Sequence, residues 1–395
     1  MSFSVKGFKA ASVSCGIKKS GRPDLSLIYS EVPAVASAAF TKNALKAAPV
    51  LLSMKNSKNG RISAVIANSG NANAATGKEG YKNAEKTASA VAAELPVRAG
   101  DVFVCSTGVI GVKLPVAKII SGVKNAALLL RPEGLDDAAR GIMTTDTFAK
   151  TASAELKLGG RKCRISGMAK GSGMIHPDLA TMLCFVLTDV SVSKRMLDSA
   201  LSVCVKESFN SITVDGDTST NDTVLCLANG MAGNRPVKSP GREYKAFLKA
   251  LSSVMISLAK QIVKDGEGAS KFVEIEVKGA GDEKTARAAA MAIAKSSLVK
   301  TAVYGGDPNW GRVLSAVGNS GILFREEKIK IFFGGLKVVS GGIEHSGFNE
   351  KKAHLALAGK EVRITVDLGS GKKSAKVWTC DLTEGYIKIN AHYRT

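Results

Sequence analysis

The sequence has few aromatic and few acidic residues for its length of 395 residues. Aromatic side chains make up 5% of the chain, and 34 Asp and Glu stand against 55 Lys and Arg, which gives a formal net charge of +21. Such a charge would attract a polyanion such as a nucleic acid. The basic residues, however, are spread along the whole chain without a dense tract, and stacking platforms for bases are scarce. We therefore interpret the charge as a solvated surface that assists the capture of acidic metabolites.

A continuous apolar run of eighteen residues is also missing, so the sequence predicts no membrane-spanning helix. Lysines interrupt the apolar residues near the N-terminus, which argues against a secretory signal and favours a cytoplasmic location. No CxxC or Cys/His pattern is present, so we expect reduced, buried thiols and no metal site. The seven cysteines are odd in number and widely spaced: Cys15, Cys105, Cys163, Cys184, Cys204, Cys226 and Cys380.

Histidine, the commonest catalytic base, is scarce as well. The four histidines, His176, His345, His354 and His392, are scattered and form no recognisable Ser-His-Asp arrangement. The chain therefore has few side chains in a recognisable arrangement for activating a nucleophile, apart from the stretch at residues 170–185.

The most informative stretch is KGSGMIHPDLATMLCF at residues 170–185, where a glycine-rich loop leads through Ala180 and Thr181 into an apolar run. Cleavage of the peptide bond before Thr181 would free an α-amino group with a pKa of about 7.7–8.0, and this amine is able to take the hydroxyl proton near neutral pH. Thr181 would then supply both nucleophile and base. The alternative is that the glycines and the proline of this stretch only punctuate a loop before a buried strand.

Short apolar runs alternate with helical spans in the first part of the chain, which predicts an α/β fold of layered sheet and helix. Ser193 is a candidate N-cap for a helix that follows it. The predicted strands lie at 64–68, 101–111, 163–171 and 182–187, and the predicted helices at 82–94 and 242–263.

Period-two alternation in VEIEV predicts that Val273, Ile275 and Val277 face a core. Further strands are predicted at 362–368, in KVWTCDLT, in TAVYG at 301–305 and in GYIKIN at 385–390. We place a domain boundary after residue 280, so that residues 1–280 form a layered α/β catalytic domain and residues 281–395 a smaller C-terminal α/β domain.

Three polar segments are candidates for a site. CSTGVIG ends an apolar strand, and its Thr107 and Gly108 are able to turn a hydroxyl and a backbone N–H toward one point, as an oxyanion hole requires; an ordinary strand-end turn is the alternative. VDGDTSTNDTV at 214–224 lacks the spacing of a calcium loop, and we interpret it as a loop and strand that support the active site. In DGEGASKF, the carboxylate of Glu267 lies between two glycines, where it is able to bind a substrate ammonium group or is simply solvated.

Two segments near the end of the chain give weaker signals. GGDPNWGR at 305–312 is glycine-rich but lacks both phosphate-loop patterns, so a nucleotide site is weakly supported. The last residues, YIKINAHYRT, stay apolar and patterned, which favours a docked terminus.

These segments resemble those of the ornithine acetyltransferase family, also called the ArgJ proteins, almost from end to end. The junction ATML in its glycine-rich context and the terminal INAHYRT carry the most specific part of the resemblance. The other matching segments are GFKAASVSCGIKKSGRPDL, NSGNANAATG, STGVIG, MTTDTFAK, VDGDTSTNDT, DGEGASKF and DPNWGR. Ala75 stands where many relatives carry cysteine and Gly306 where alanine is common, and the high basic charge is unusual for the family.

The resemblance implies an αββα sandwich of the ornithine acetyltransferase and DmpA-like kind, with the C-terminal domain completing the active site. It implies that the chain cuts itself between Ala180 and Thr181 into an α fragment of residues 1–180 and a β fragment of residues 181–395. Thr181 then accepts acetyl from N-acetylornithine and passes it to glutamate in a ping-pong exchange. Two αβ pairs are expected to associate as α2β2, and no cofactor or metal is implied. Whether acetyl-CoA also donates acetyl to glutamate stays open, because the motifs are shared by relatives with one activity and with two.

The resemblance also assigns site residues one by one. Thr107 and Gly108 match the oxyanion-hole pair. Thr145 is the other option for the threonine of MTTDT. The substrate-binding positions are matched by Thr144, Lys170, Thr181, Glu267, Asn390 and Thr395.

Two alternatives to the acetyltransferase remain from the sequence. An N-terminal-nucleophile amidohydrolase or aminopeptidase would keep the self-cleaved threonine but use water as the acceptor. A basic nucleic-acid-binding protein would use the charge alone and show salt-sensitive binding without acetyl exchange.

Overall fold

The structure is a computed structural model that describes residues 3–176 and 182–392. The chain divides into two compact units, one of Met1–Asn210 with Asp217–Ile262 and one of Ser211–Gly216 with Val263–Thr395. The second unit therefore begins earlier than the predicted boundary after residue 280, because the strand at 272–280 pairs with strands of the second unit on both sides.

Long strands and amphipathic helices alternate in the first unit. Its strands are β1 (Phe8–Val13), β2 (Leu25–Phe40), β3 (Arg61–Asn71), β4 (Val102–Val109), β5 (Lys150–Leu158), β6 (Arg161–Lys170), β7 (Leu183–Thr188) and β8 (Thr223–Ala228). Its helices are α1 (Ala48–Asn56), α2 (Gly77–Glu94), α3 (Val116–Leu128), α4 (Leu135–Gly141), α5 (Lys194–Glu207) and α6 (Arg242–Lys264).

The strands of the first unit are hydrogen-bonded in the order β4-β3-β2-β8-β7-β6-β5, with β1 added beside β2. Strand β2 is 16 residues long and is irregular between Tyr29 and Ala34, around Pro33, which has no N–H to give to a ladder. Its first part pairs with β1 and β3 and its last part with β8. One apolar cluster contains side chains from both halves of the sheet, among them Phe103 of β4 and Phe185 of β7. The two halves thus face each other across a shared core.

Helices cover the outer faces of both halves. Ala84 and Ala88 of α2 and Ile119 of α3 form a separate apolar cluster with alternate residues of β3 and β4. On the other half, Val254 and Leu258 of α6 lie over Gly167 of β6. Helix, sheet, sheet and helix follow one another, so the expected αββα arrangement of an α/β fold is confirmed.

Helix α6 has the length and composition of a helix able to cross a membrane. Its apolar side is buried at Phe247, Leu251 and Leu258. Gln261 donates to the Thr151 carbonyl at 3.0 Å, and the Tyr244 hydroxyl donates to Ser199 at 2.9 Å. These contacts are those of a core helix packed on a sheet and on α5.

The second unit is built on a six-stranded sheet with the order β12-β11-β10-β13-β9-β14. Its strands are β9 (Phe272–Ala280), β10 (Lys330–Phe333), β11 (Leu336–Ser340), β12 (Ile343–Glu344), β13 (Glu361–Asp367) and β14 (Lys373–Cys380). Its helices are α7 (Glu283–Lys295), α8 (Ser297–Gly305), α9 (Trp310–Gly318), α10 (Glu350–Ala358) and α11 (Glu384–Ala391). As the alternation predicts, Val273, Ile275 and Val277 of β9 are buried in the core of this unit.

Two predicted strands are wrong. TAVYG belongs to α8, whose N-cap Ser296 accepts from the Val299 N–H, and GYIKIN belongs to α11, whose N-cap Thr383 accepts from the Gly385 N–H. In both cases a hydroxyl side chain just before the segment satisfies a free N–H group of the first helical turn. Ser193 also lies at the N-cap of α5 as predicted, but its side chain makes no capping hydrogen bond.

The described cysteines are free thiols, and six of them are buried while Cys15 is partly exposed. Burial raises the pKa of Cys204 to about 12, which is typical of an unreactive core thiol.

Candidate functional site

Three of the predicted site residues, Ala180, Thr181 and Thr395, lie outside the described residues. The description of the first unit resumes at Met182, the residue that follows the predicted nucleophile. The candidate site is therefore built from the groups around Met182 and from the other predicted residues.

Four neighbouring strands present their ends at one edge of the sheet in the first unit. The two-residue turn between β5 and β6 consists of Gly159 and Gly160, both with positive φ, and it fixes the register that sets Lys150 opposite Ala169. The ladder continues with Lys170 opposite Leu183 and Leu183 opposite Thr223. The polar residues at the end of β6 and at the starts of β5, β7 and β8 thus come together.

Lys170 lies at this edge and is buried. Its ammonium group donates to the Thr107 hydroxyl at the end of β4, with Nζ and Oγ1 3.3 Å apart. Thr107 is buried as well. The structure therefore brings together two of the predicted residues, 63 positions apart in the chain.

Gly108 follows Thr107 in a conformation that other residues rarely adopt, with φ at +130°. A β-carbon at this position would lie 2.3 Å from the Gly70 carbonyl carbon of β3, and the β3–β4 register is irregular at the same point. A side chain is thus excluded here by both conformation and space. The strand end therefore requires glycine at this position.

Asp146 is the residue of this edge that the sequence analysis missed. Its carboxylate accepts from Lys150 Nζ at 2.6 Å, from the Gly171 N–H at 2.7 Å and from the Thr144 N–H at 2.9 Å. Burial alone would raise the pKa of Asp146, but the Lys170 and Lys150 charges and the hydrogen bonds outweigh it and lower this pKa to about 2. Asp146 is therefore an ionised group that holds the loop after β6 and balances two lysines.

The two threonines of MTTDT both lie beside this carboxylate network. Thr144 is held through its backbone N–H, whereas the Thr145 hydroxyl is 2.6 Å from the Ser172 hydroxyl. Both side chains are partly exposed. The choice between them as a substrate contact stays open.

The segment at 214–224 contributes two buried side chains to the same edge. The Asn221 amide donates to the carbonyls of Ala72 and Ser106 at 2.6 and 2.8 Å. Asp222 Oδ1 accepts from the Met182 N–H at 2.9 Å. Within the described ranges, no group of three or more His, Cys, Asp or Glu side chains is arranged to hold a metal ion.

Burial raises the pKa of Asp222 well above its ordinary value, and the Met182 N–H and the Lys170 charge offset only part of that rise. Asp222 Oδ2 is buried and has no hydrogen-bond partner among the residues that the structure describes. The signal that could have pointed to this residue is an Asp in front of an apolar strand, which is unusual in a core.

The second unit holds the other pair of predicted residues. Asn390 Nδ2 of α11 donates to Glu267 Oε2 at 2.9 Å, and Glu267 is buried. The Thr383 hydroxyl donates to the Gly268 carbonyl at 2.6 Å and so ties the start of α11 to the turn that carries Glu267. Glu267 and Asn390 are thus adjacent, as a shared role in substrate binding would require.

GGDPNWGR forms the connection between α8 and α9. Asn309 caps α9 by accepting from the Arg312 N–H at 3.2 Å, and His354 Nδ1 is 2.8 Å from the Gly306 carbonyl. These contacts give the segment a role in ending one helix and starting the next.

Comparison with known proteins identifies relatives over nearly the whole chain. The sequence profile of the ArgJ family matches residues 9–395. The arginine biosynthesis bifunctional protein ArgJ of Caldanaerobacter subterraneus is 50% identical over 394 residues, which cover 99% of this chain and 97% of that protein. The protein of the same name from Geobacter sulfurreducens is 50% identical over 392 residues, with 99% and 100% covered.

A solved structure supports the same relationship. The crystal structure of the arginine biosynthesis bifunctional protein argJ from Bacillus halodurans is 44% identical and superposes with a TM-score of 0.51. The superposition covers 52% of this chain and 97% of that one.

Proposed function

Because this chain belongs to the ArgJ family of arginine-biosynthesis enzymes, we propose that it is a self-processing acetyltransferase that moves acetyl from N-acetylornithine to glutamate. The observation that supports this proposal best is the buried contact between Lys170 and Thr107 at the strand edge where β7 begins. A fixed hydroxyl with a cation behind it, next to a glycine that bears no side chain, suits a developing oxyanion.

In the proposed processing step, the peptide bond between Ala180 and Thr181 is hydrolysed, which leaves a carboxylate on Ala180 and a free amine on Thr181. The α and β fragments need not separate, because β6 of the first fragment pairs with β7 of the second, and β2 pairs with β8. These ladders support two fragments that stay in one sheet. The association of two such pairs as α2β2 is part of the proposal.

In the proposed exchange, the Thr181 hydroxyl oxygen attacks the acetyl carbonyl carbon of N-acetylornithine and its proton passes to the Thr181 amine. The tetrahedral intermediate places its negative charge toward Thr107 and Gly108. The proton then goes to the leaving α-amine, ornithine departs, and acetyl stays on Thr181 as an ester. The α-amine of glutamate attacks that ester by the same steps in reverse and leaves as N-acetylglutamate.

Substrate binding in this proposal uses charge and hydrogen bonds. Lys170 supplies a cation and the MTTDT threonine a hydroxyl for a substrate carboxylate or amide. Glu267 supplies an anion for the side-chain ammonium group of ornithine, with Asn390 holding the carboxylate in place. Thr395 is assigned to binding by the resemblance alone. Acetyl is exchanged between two α-amines of similar chemistry, so the proposed reaction uses no cofactor.

The proposal is tested by intact-mass measurement of the purified protein together with an acetyl-exchange assay. We expect two fragments, the second beginning at Thr181, and ornithine release that glutamate accelerates. Thr181→Ala should remain one chain with no exchange. Thr188→Ala is the matched control, because Thr188 lies at the other end of β7 and its hydroxyl donates to the Arg164 carbonyl; it should be cut and active.

An uncut active protein, or an acetyl adduct on another side chain, would contradict this function. Ornithine release that glutamate does not accelerate would indicate an amidohydrolase instead. Formation of N-acetylglutamate from acetyl-CoA without N-acetylornithine would add the second activity.

The oxyanion role is tested by Thr107→Ala with Thr107→Ser as its control. Loss of the hydroxyl should raise the barrier of acetyl transfer by about 2–4 kcal/mol while KM changes little, and serine should restore most of the turnover. A loss of affinity with unchanged turnover would assign Thr107 to substrate binding.

A further inference from the structure

We infer that Asp222 is a positioning residue for the proposed nucleophile, holding the first backbone amide after Thr181 while its neighbour Asn221 holds the strand end that carries Thr107. This inference rests on the proposed function. Asn221 and Asp222 are not among the matched catalytic and substrate-binding positions. Together they would fix the position of the nucleophile relative to the oxyanion site.

Met182 is the residue directly after the proposed nucleophile. Its N–H donates to Asp222 Oδ1 at 2.9 Å, and its carbonyl accepts from the Thr223 N–H at 3.0 Å. Both backbone groups of Met182 are thus fixed by two consecutive residues at the start of β8. Thr181 is joined by one peptide bond to a residue that cannot shift without breaking these contacts.

Asn221, which directly precedes Asp222, contacts a different strand. Its amide nitrogen donates to the carbonyl of Ser106, the residue before Thr107, at 2.8 Å and to the carbonyl of Ala72 at 2.6 Å. Two consecutive residues therefore bind two strands: Asp222 is hydrogen-bonded to the start of β7, and Asn221 is hydrogen-bonded to the end of β4. Because the reacting atoms in acyl transfer must be placed within about an ångström, such a clamp has a direct effect on rate.

Aspartate is an unusual side chain for a position as buried as that of Asp222. Asp222 is fully buried, and its second oxygen, Oδ2, has no hydrogen-bond partner within the described part of the chain. Leaving a buried polar atom unsatisfied destabilises a fold, so stability alone gives no reason for this side chain. Holding the Met182 amide gives one.

The inference is tested with Asp222→Asn, which keeps an acceptor for the Met182 N–H, and with Asp222→Leu, which has a similar shape and no acceptor. Self-cleavage is followed by intact mass, and kcat and KM are measured for acetyl exchange. Asp222→Asn should stay within about threefold of the parent in both reactions. In Asp222→Leu, both self-cleavage and the kcat of acetyl exchange should be about a hundredfold slower, which is the rate loss typical of a misplaced reacting group. The KM of this variant should change by less than about threefold.

Asp189 supplies the matched control. It is a buried aspartate at the opposite end of β7, its Oδ1 accepts from the Arg164 N–H at 2.8 Å, and burial raises its pKa as well. Asp189→Leu should lower the melting temperature yet leave self-cleavage and kcat within about threefold of the parent. If Asp222→Leu fails to fold, Asp222→Ala removes the same acceptor without adding bulk.

The outcomes separate the inference from the function on which it rests. An uncut, inactive parent protein would overturn the proposed function itself. The positioning role would be overturned if the parent is cleaved and Asp222→Leu cuts itself and turns over equally fast. It would also be overturned if Asp222→Asn is as slow as Asp222→Leu in these reactions.

Amide hydrogen exchange at Met182 gives a readout that does not depend on activity. It is measured in the uncleaved Thr181→Ala background, alone and combined with each substitution of Asp222. The Met182 amide should be protected from exchange in the Thr181→Ala protein and in its combination with Asp222→Asn. It should exchange freely in the combination with Asp222→Leu. Protection of this amide in Asp222→Leu would also overturn the positioning role.

Discussion

Two buried aspartates at one edge of the same sheet have opposite electrostatics. Asp146, before β5, accepts hydrogen bonds from Lys150, Gly171 and Thr144, and its pKa is lowered to about 2 after the cost of burial is offset. Asp222, before β8, is equally buried, and desolvation raises its pKa well above the ordinary value. The charge of Lys170 lowers the pKa of both residues. Asp222 also has hydrogen-bonding groups that lower its pKa, from Met182, Ser219 and Thr41, so the difference comes chiefly from the second lysine, Lys150, beside Asp146.

Buried carboxyl groups at this edge of the sheet have two different roles. A carboxylate with several donors is a structural counter-charge that holds lysines and loops in place. A carboxyl whose pKa stays raised by burial and whose second oxygen is unsatisfied contributes little to stability, so its place in the fold is better explained by function. Both kinds occur around the same proposed reaction centre.

The largest expected effect is on stability when Asp146 loses its charge. Asp146→Ala removes the carboxylate from between two buried lysines and should reduce the free energy of unfolding by about 3–5 kcal/mol, the usual penalty for breaking a buried pair. Urea unfolding at neutral pH measures it. Asp222→Ala in the same assay should cost distinctly less, and equal losses would show that the two aspartates do not differ in this way.

The same comparison predicts opposite responses to pH. The difference between a pKa of about 2 and the ordinary 3.8 for Asp146 corresponds to about 2 kcal/mol. Because this pKa is depressed in the folded state, the contribution is present above pH 3.8 and is lost as the pH falls through about 2. The stability gap between the parent and Asp146→Asn should narrow as urea titrations move from pH 6 toward pH 3. A gap that widens would contradict the assigned charge.

For Asp222 the sign reverses, because its folded pKa is raised. The unfolded chain ionises first as the pH rises above the ordinary carboxyl value, so the parent loses stability from there up to the folded pKa. Asp222→Asn has no such titration and should gain stability relative to the parent as the pH rises above about 4. A constant difference over that range would mean that Asp222 is ionised in the fold.

The sequence alone predicts much of the scaffold that carries these groups. The apolar run after the junction forms β7, the alternation around Ile275 forms β9, and CSTGVIG ends a strand as expected. These are local patterns in which burial follows periodicity. The strands predicted in TAVYG and GYIKIN failed because one capping hydroxyl, on Ser296 or Thr383, decides for a helix where the apolar pattern is ambiguous.

The site was only partly predictable for a different reason. Asp146 meets Gly171 across 25 positions and Asp222 meets Met182 across 40, and no local pattern records such pairings. Asp146 does not stand out in a single sequence, because Asp in a polar loop is ordinary. Asp222 is marked only by its place directly in front of an apolar run. Their burial becomes visible only when the sheet register brings the strand ends together.

The smallest expected effect sharpens the comparison with a carboxylate near the surface. Glu274 of β9 accepts from the Trp378 indole at 2.9 Å and from Arg363 at 2.8 Å, but Arg363 is half exposed. Glu274→Gln keeps an acceptor for the indole and should cost only about 0.5–1 kcal/mol, since partly exposed ion pairs are screened by water and salt. Unfolding in low salt and in about 1 M sodium chloride should show this cost approaching zero, because the Debye length there is about 3 Å. The stability cost of Asp146→Ala should hardly change between the same two conditions, as expected for charges away from solvent. If high salt reduced the costs of both substitutions equally, burial would not be what distinguishes the two sites.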